Sequence, residues 1–575
     1  MALPTNPEIA ADLELLGALL ELDGAVRHRV LAYRRGAARI RATGESVAEL
    51  AMAGTAVELP DIGSTLQDKI VERATTGSIA ALEKAKKAVP EGLVSIAASP
   101  GLGPKRALAV WREAGATTVG EVRSLAGEGR LREVTGIGPA LERGVLDALN
   151  APTAGEDERI SLGRALPVAE DLARGIAETG ARVELAGSLR RGADTCHDLD
   201  IVVATDRPEG VVSALAAQPA VAGEVSHSDV RAGAPTQLGV PVELLMGPPS
   251  RFGNLWQHAT GSKAHNVRLR ERALARGLSM SEHGVDGPGG LVEHADEEGV
   301  YAALGLAWIP PELREDVGEI ALAETGDLPE LVGVADLRGE LHAHTDWSDG
   351  TDTIEAMAAA AAERGYEYLA ISDHSASLSM AGGLDPARVR EQWRAIERAQ
   401  QKVEIRLLRA TEVDILADGS LDHPDELLAE FDWVTASVHS SFRASRERMT
   451  RRLIAAIEHP LVDAIGHPTG RMLGRRPHAD IDLPAVLDAA ARTGTRLEIN
   501  GQPRRRDLDD AMARQALAAG AGLVVGSDAH AADSLDFARY GIATARRAGA
   551  TAADIANTRP WGELAAARKA RAARS

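Results

Sequence analysis

Two histidines one residue apart, with an aspartate five positions further on, stand in "GELHAHTDWSDG" (339–350). Imidazole and carboxylate are the side chains that hold transition-metal ions, and such ions promote attack on phosphate esters. A single triplet is weak evidence, because a histidine at a strand end is more often a hydrogen-bonded rim residue than a ligand. This triplet has company. His374 follows "YLAISD", Glu412 ends "IRLLRATE", His439 ends "WVTASVH", His467 ends "LVDAIGH", and Asp528 and His530 close "GLVVGSDAH". Together with His342, His344 and Asp349 they make nine metal-capable residues, each at or just beyond the end of a short apolar run. Mixed imidazole and carboxylate suits Mn²⁺, Zn²⁺ or Fe²⁺, and nine ligands can hold two or three ions.

The elements that must position them are legible. Those apolar runs, with "RLEIN" (496–500), give seven strands separated by Ala-rich helical stretches, the pattern of a βα barrel. Parallel strands in a closed barrel bring their C-terminal ends to one rim, so the nine side chains are expected to meet there. The arginines of "NGQPRRRDL" (500–508) could hold a DNA backbone near that rim or simply be solvated.

A second acidic pair lies upstream. "RVELAGSLRRGADTCHDLDIVVAT" (182–205) reads as strand, turn, helix start and strand. Period-two alternation puts Asp198 and Asp200 on one face while Ile201, Val202 and Val203 pack the sheet. Paired carboxylates suit hard cations such as Mg²⁺ or Mn²⁺. Gly187 and Ser188 open a helix whose N-terminus can meet phosphate, with Arg191 beside it. Taken alone, "DLD" reads better as a solvated strand edge.

Composition sets limits. At 575 residues the chain should form two to four domains, and 45% apolar with 26% charged residues suits a globular fold. The N-terminus lacks a secretory pattern, and no apolar run reaches membrane-spanning length. The single cysteine, Cys196, excludes an internal disulfide and fits a reducing cytoplasm. A net charge of −20 argues against simple coating of nucleic acid. Residues 1–150 differ, with 18 Lys/Arg against 19 Asp/Glu, and "RHRVLAYRRGAARIR" (27–41) carries six arginines and no acid. This is a solvated helix face or a phosphate contact surface.

Three segments in that region repeat one form: "ELPDIGSTLQDKI" (58–70), "ASPGLGPKRALAV" (98–110) and "VTGIGPALERGVL" (134–146). A glycine-lined turn between two helices presents backbone N–H groups to a phosphate without reading a base. A dinucleotide-binding loop would need a preceding strand and a third glycine. The repeats resemble helix-hairpin-helix motifs, with Gly63, Gly101, Gly103, Gly136 and Gly138 as their glycines and Asp61 in place of the first leading glycine.

The Gly-Ser-…-Arg-Arg-Gly-…-Asp-hydrophobic-Asp stretch resembles the nucleotidyltransferase signature of the family X DNA polymerases, and "FGNLWQHATGSKAHNVRLRERALARGLSMSEHGV" (252–285) resembles their nucleotide-selecting segment. The resemblance implies that Asp198 and Asp200 bind two metals with a third catalytic acid, Glu243, in "GVPVELLMG". It also implies that Gly187, Ser188, Arg191, Gly261 and Asn266 hold the nucleotide, and that Arg270 faces the template. Lys69 falls where some relatives carry a Schiff-base lysine; a phosphate contact is the plainer role. The sequence departs from the pattern at Glu243, usually Asp, at Leu245, usually Arg, at His258-Ala259, usually Tyr-Phe, and at His197, usually Gly. The C-terminal motifs resemble the polymerase and histidinol phosphatase (PHP) domain. The whole chain thus resembles bacterial family X polymerases with a C-terminal PHP domain, which implies a gap-filling DNA repair polymerase joined to a 3′–5′ exonuclease. The expected class is multidomain α+β and α/β. It comprises a helical gap-binding unit (1–87), a helix-hairpin-helix unit (88–150), a nucleotidyltransferase palm (151–250), a nucleotide-selecting subdomain (251–310), a linker (311–336) and a (β/α)7 PHP barrel (337–575). Gapped or nicked DNA and deoxynucleoside triphosphates are the expected partners of a cytoplasmic monomer with no membrane contact. The alternatives are a nuclease or phosphoesterase with an impaired polymerase half, and a DNA-binding scaffold, which the complete ligand set disfavours.

Overall fold

The computed structural model describes residues 3–99, 101–150 and 159–572. The boundary expected at 150/151 abuts residues 151–158, which lie outside that description, as do the last three residues of the chain.

The N-terminal part is helical. Helix Asn6–Leu22 buries Ile9, Leu13, Leu16 and Leu19, spaced three or four apart on one stripe. Glu8 closes its start by accepting from the Thr5 N–H at 2.7 Å. Buried apolar side chains from Ile9 to Val145 form one continuous cluster. The three repeats are turns leading into helices Ser64–Thr76, Gly103–Ala114 and Pro139–Asn150. Asp61 adopts φ 66°, matching the φ 87° and 84° of Gly101 and Gly136, so the aspartate takes the left-handed conformation that its two counterparts leave to glycine. Arg106 donates to the carbonyls of Gly101 and Gly136 at 2.8 and 2.9 Å and ties the second and third turns together.

Next comes a five-stranded sheet in the order Arg182–Leu185, Leu199–Ala204, Pro241–Gly247, Arg231–Pro235, Ser226–His227. The second and third strands run parallel, with Asp200 opposite Glu243. Helices Phe252–Thr260 and Lys263–Ala275 follow. Glu297, almost fully buried, anchors them to the sheet's first turn. It accepts two hydrogen bonds from Arg190, each 2.7 Å, and two from Arg314, at 2.7 and 2.9 Å. The stretch 311–336 packs closely, contributing the buried Arg314 and Glu319.

Seven parallel strands then follow in sequence order: Gly339–Ala343, Tyr368–Ile371, Arg406–Asp414, Trp433–Ser437, Ala464–Gly466, Arg496–Asn500 and Leu523–Gly526. A bridge between Ala343 and Ala529 brings the last strand's end to the first, leaving the barrel nearly closed. Alternation along each strand sorts its side chains. Leu369, Ile371, Val434, Ala436, Leu497 and Ile499 join the cluster under the surrounding helices. Tyr368, Ala370, Leu408, Ala410, Trp433 and Val524 form an inner cluster, closed at one end by Trp561 and Leu564. With that end plugged, the chemistry is left to the other.

Candidate active sites

The inward rows climb from apolar to polar. Leu408 and Ala410 lead at period two to Glu412 and Asp414, and Tyr368 and Ala370 lead to Ser372 and His374. The nine sequence-predicted residues do converge. Glu412 lies at their centre, fully buried, with ring nitrogens around both oxygens: His374 Nδ1 at 2.8 Å, His467 Nε2 at 2.9 Å, His439 Nε2 at 3.3 Å, His342 Nε2 at 3.5 Å and His344 Nε2 at 3.6 Å. His344 and Asp528 approach to 3.4 Å. Asp349 lies 3.5 Å from His374 and 3.4 Å from His530. Asp349 and His530, about a third exposed, form the open side.

Small residues make room for this crowd. A Cβ on Gly526 would fall 2.1 Å from Glu498 Oε1 and 3.0 Å from His342 Cβ. His467 and Asp528 hold positive φ of 29° and 52°, a conformation that costs L residues free energy and that the surrounding packing must enforce.

The donor set fits metal ions. The buried His342 Nε2, His439 Nε2, both ring nitrogens of His344 and both oxygens of Glu412 have no hydrogen-bond partner among the described residues. Buried polar atoms left so would each cost free energy, and a cation shared between them removes the cost. Burial pushes the Glu412 pKa up, but His439, His374 and His342 pull it well below the usual range. Burial and the neighbouring His374 and His530 lower His344 to about 3, leaving a neutral imidazole able to ligate.

A supporting layer escaped the sequence reading. Glu498 accepts from His342 Nδ1 at 2.6 Å, and Asp414 sits 2.6 Å from His439 Nδ1, each fixing its ring's orientation. Asn500 bridges Glu498 and Asp528 at 3.1 Å each. Period two was the available signal: Asp414 follows Glu412 by two, and Asn500 follows Glu498 by two. The "RRR" arginines divide. Arg505 stands 3.4 Å from Asp528. Arg506 is neither solvated nor free for DNA, being fully buried against the turn after Arg191, where Gly192 and Ala193 accept from it.

The second candidate site is an open cleft of about 490 Å³ lined by Gly187, Ser188, Arg191, Asp198, Asp200, His258, Gly261, Asn266 and Arg270. Asp200 needs glycine beside it: a Cβ on Gly187, at φ 55°, would meet its Oδ2 at 1.8 Å. Burial, with the charges of Asp198 and Glu243, raises Asp200 to about 7. Glu243 is more exposed than Asp198 or Asp200. Arg191 donates to Glu315 at 3.0 Å and to the Thr260 carbonyl, and Asn266 donates to the His258 carbonyl at 2.9 Å. Arg270 lies 3.4 Å from His258 Nδ1. Arg231, which sequence reasoning missed, pairs with Leu245 across two strands and so shares the acids' face. The hairpin glycines and Lys69 lie in the helical region, outside this cleft's lining.

Models of known families match three parts of the chain: a helix-hairpin-helix domain over residues 4–79, a DNA polymerase beta thumb over 255–315 and a PHP domain over 340–500. A Bacillus subtilis (strain 168) protein named DNA polymerase/3'-5' exonuclease PolX is 34% identical over 555 residues, covering 95% of this chain and 96% of its own. The chain belongs to the bacterial family X DNA polymerases. Part of the chain also resembles shorter proteins. A probable phosphatase of Thermoanaerobacter sp. (strain X514) is 32% identical over 38% of this chain and 89% of its own, and one of Shewanella amazonensis is 34% identical over 34% and 78%. Among the described residues no helix is long and apolar enough to cross a membrane.

Proposed function

We propose that this chain fills short gaps in DNA from deoxynucleoside triphosphates and, through its barrel, removes nucleotides from 3′ ends. One observation carries most weight: a protein named for both activities matches 95% of the chain, and both clusters of candidate ligands are present in it. The residue roles are part of the proposal. Asp198 and Asp200 hold Mg²⁺ or Mn²⁺, with Glu243 as the third catalytic acid; the nine barrel residues hold two or three Mn²⁺, Zn²⁺ or Fe²⁺ ions. Such cations supply Lewis acidity to an attacking oxygen and neutralise charge building on a phosphate. Gly187, Ser188, Gly261 and Asn266 seat the nucleotide, and Arg191, fixed by Glu315, places positive charge on the cleft wall. Arg270 orients the template base. Gly63, Gly101, Gly103, Gly136, Gly138 and Lys69 contact backbone phosphates of gapped or nicked DNA. In the barrel, Asp349 and His530 stand where a 3′-terminal phosphodiester enters, while Glu498 and Asp414 hold His342 and His439 in register. The setting is base-excision repair in the cytoplasm by a monomer.

A narrower reading, a nuclease whose front half only holds DNA, is favoured by Glu243, whose extra methylene displaces a carboxylate, and a shift of about 1 Å can cost on the order of a hundredfold in rate. Primer extension on a one-nucleotide gap separates the two. Extension by the wild type, lost in Asp198→Ala, supports the full proposal. No extension alongside intact 3′ degradation supports the narrower one. Degradation that survives both His342→Ala and Asp528→Ala removes the barrel from the account.

A further inference from the structure

Outside both sites, arginines gather in a groove of about 1070 Å³ between the N-terminal helices and the barrel loops. Its walls carry Arg35 and Arg39 from helix Arg27–Ala42, and Arg475 and Arg504 from the barrel. Arg35 and Arg39 are four residues apart on one helix face, a like-charge spacing that weakens a helix. Arg475 lies in a tight turn closed by two 2.8 Å hydrogen bonds between Met472 and Arg476, and the Leu473 N–H donates to the Arg504 carbonyl at 2.7 Å. The backbone therefore holds Arg475 beside Arg504. Burial, then Arg475 and Arg39, lower the Arg504 pKa, while Asp61 opposes them. The other acid on the wall, Glu14, is engaged by Arg41 at 2.7 Å. The buried Nε of Arg39 has no hydrogen-bond partner among the described residues. In a chain of net charge −20, such concentrated positive charge fits an anion.

The groove connects in two directions. Arg475 and Arg504 also line a cavity of about 480 Å³ that reaches Arg159, and Arg159 lines the cleft of Asp198 and Asp200. In the other direction Arg505, next in the chain to Arg504, stands 3.4 Å from Asp528 of the barrel centre. Arginines thus line the way from the groove to the cleft of Asp198 and Asp200, and Arg505, adjacent in the chain, stands beside the barrel centre. Among the described residues no aromatic side chain lines either cavity, so phosphates and not bases would be recognised.

We propose that this corridor binds the phosphate backbone of single-stranded DNA and carries a 3′-ended strand between the two centres. The inference rests on the function proposed above. It is tested first on metal-stripped full-length protein, by fluorescence anisotropy with a labelled oligothymidylate across a salt series. The charge-reversed Arg475→Glu/Arg504→Glu protein should bind on the order of tenfold more weakly. Its log–log salt slope should fall by about 1.4, two phosphate contacts at about 0.7 each. The Arg475→Lys/Arg504→Lys protein should keep the wild-type slope, and all three should melt at the same temperature. Equal affinity and slope in the charge-reversed protein overturn the corridor. Because this arm needs no turnover, a barrel that proves unable to degrade 3′ ends leaves the binding result decisive. With active metal-loaded protein, charge reversal should raise KM for 3′ degradation of the oligothymidylate; an unchanged KM overturns the transfer role.

Discussion

Arg506, at the end of the barrel's sixth strand loop, donates to the carbonyl of Gly192, 314 positions earlier in the chain, at 2.9 Å. Ala193, Thr544 and Tyr540 also accept from it, at 2.8, 2.7 and 3.3 Å. A fully buried guanidinium therefore pins the barrel to the turn that follows Arg191. Arg506→Ala strands two carbonyls, at about 1–3 kcal/mol each if water does not reach them. The expected outcome is a melting temperature several degrees lower and a measurable fall in primer extension, although residue 506 lies outside the cleft. Unchanged melting and extension would show that the two parts hold together without it.

Asp200 supplies a pH dependence. Its carboxyl titrates at about 7 through burial and its acidic neighbours. Only the ionised form holds a cation, so at limiting Mg²⁺ extension should rise as pH increases through about 7, and excess Mg²⁺ should move the midpoint lower. Glu243→Gln removes one repelling charge and should also lower it. Stability runs the other way. A raised carboxyl pKa means the folded, metal-free protein holds its proton longer than the unfolded chain, so it gains stability as pH falls through about 7. A pH–rate profile at limiting Mg²⁺ that stays flat across neutrality contradicts this.

Glu297 makes the opposite case. Burial works against its charge, yet Arg314 and Arg190 bring its pKa down to about 2. A depressed carboxyl pKa contributes stability above about 4.5 that is lost as pH falls toward 2. Glu297→Gln leaves two buried guanidinium groups without their counter-charge and should cost about 3–5 kcal/mol at neutral pH. Urea unfolding at several pH values reads this, and a penalty that does not shrink in acid would place the effect elsewhere.

The barrel centre predicts a graded loss of metal. Glu412→Gln touches the carboxylate that five imidazoles surround, so metal content by elemental analysis should fall by at least one ion per chain. Asp414→Ala leaves every candidate ligand in place but frees His439 Nδ1, and should weaken metal affinity by about 10–100-fold. Chelation should abolish 3′ degradation in the wild type. Full metal content in Glu412→Gln removes that residue from the ligand set.

Much of this was legible because periodicity and chemistry coincide in the barrel. A ligand at the end of an apolar run needs only the rule that parallel strands share a rim, and all nine residues obey it. The acids at 198, 200 and 243 were legible from motif spacing, but the register that sets Asp200 against Glu243 depends on strand order across forty residues. Arg506 and Glu297 were not legible at all. Nothing local distinguishes an arginine that faces water from one that seals a joint, or predicts which distant backbone will receive it. Asp61 shows the limit in miniature: its type departs from the repeat while its backbone keeps it.

The near-closure of the strand ring has a consequence for synthesis. His342 and Asp528 belong to the same centre, and the Ala343–Ala529 bridge is the last parallel link between them. A ribosome must therefore release almost the entire polypeptide before the first histidine can meet its final companion. The N-terminal helices, which a helix-hairpin-helix model matches, emerge long before that rim can assemble.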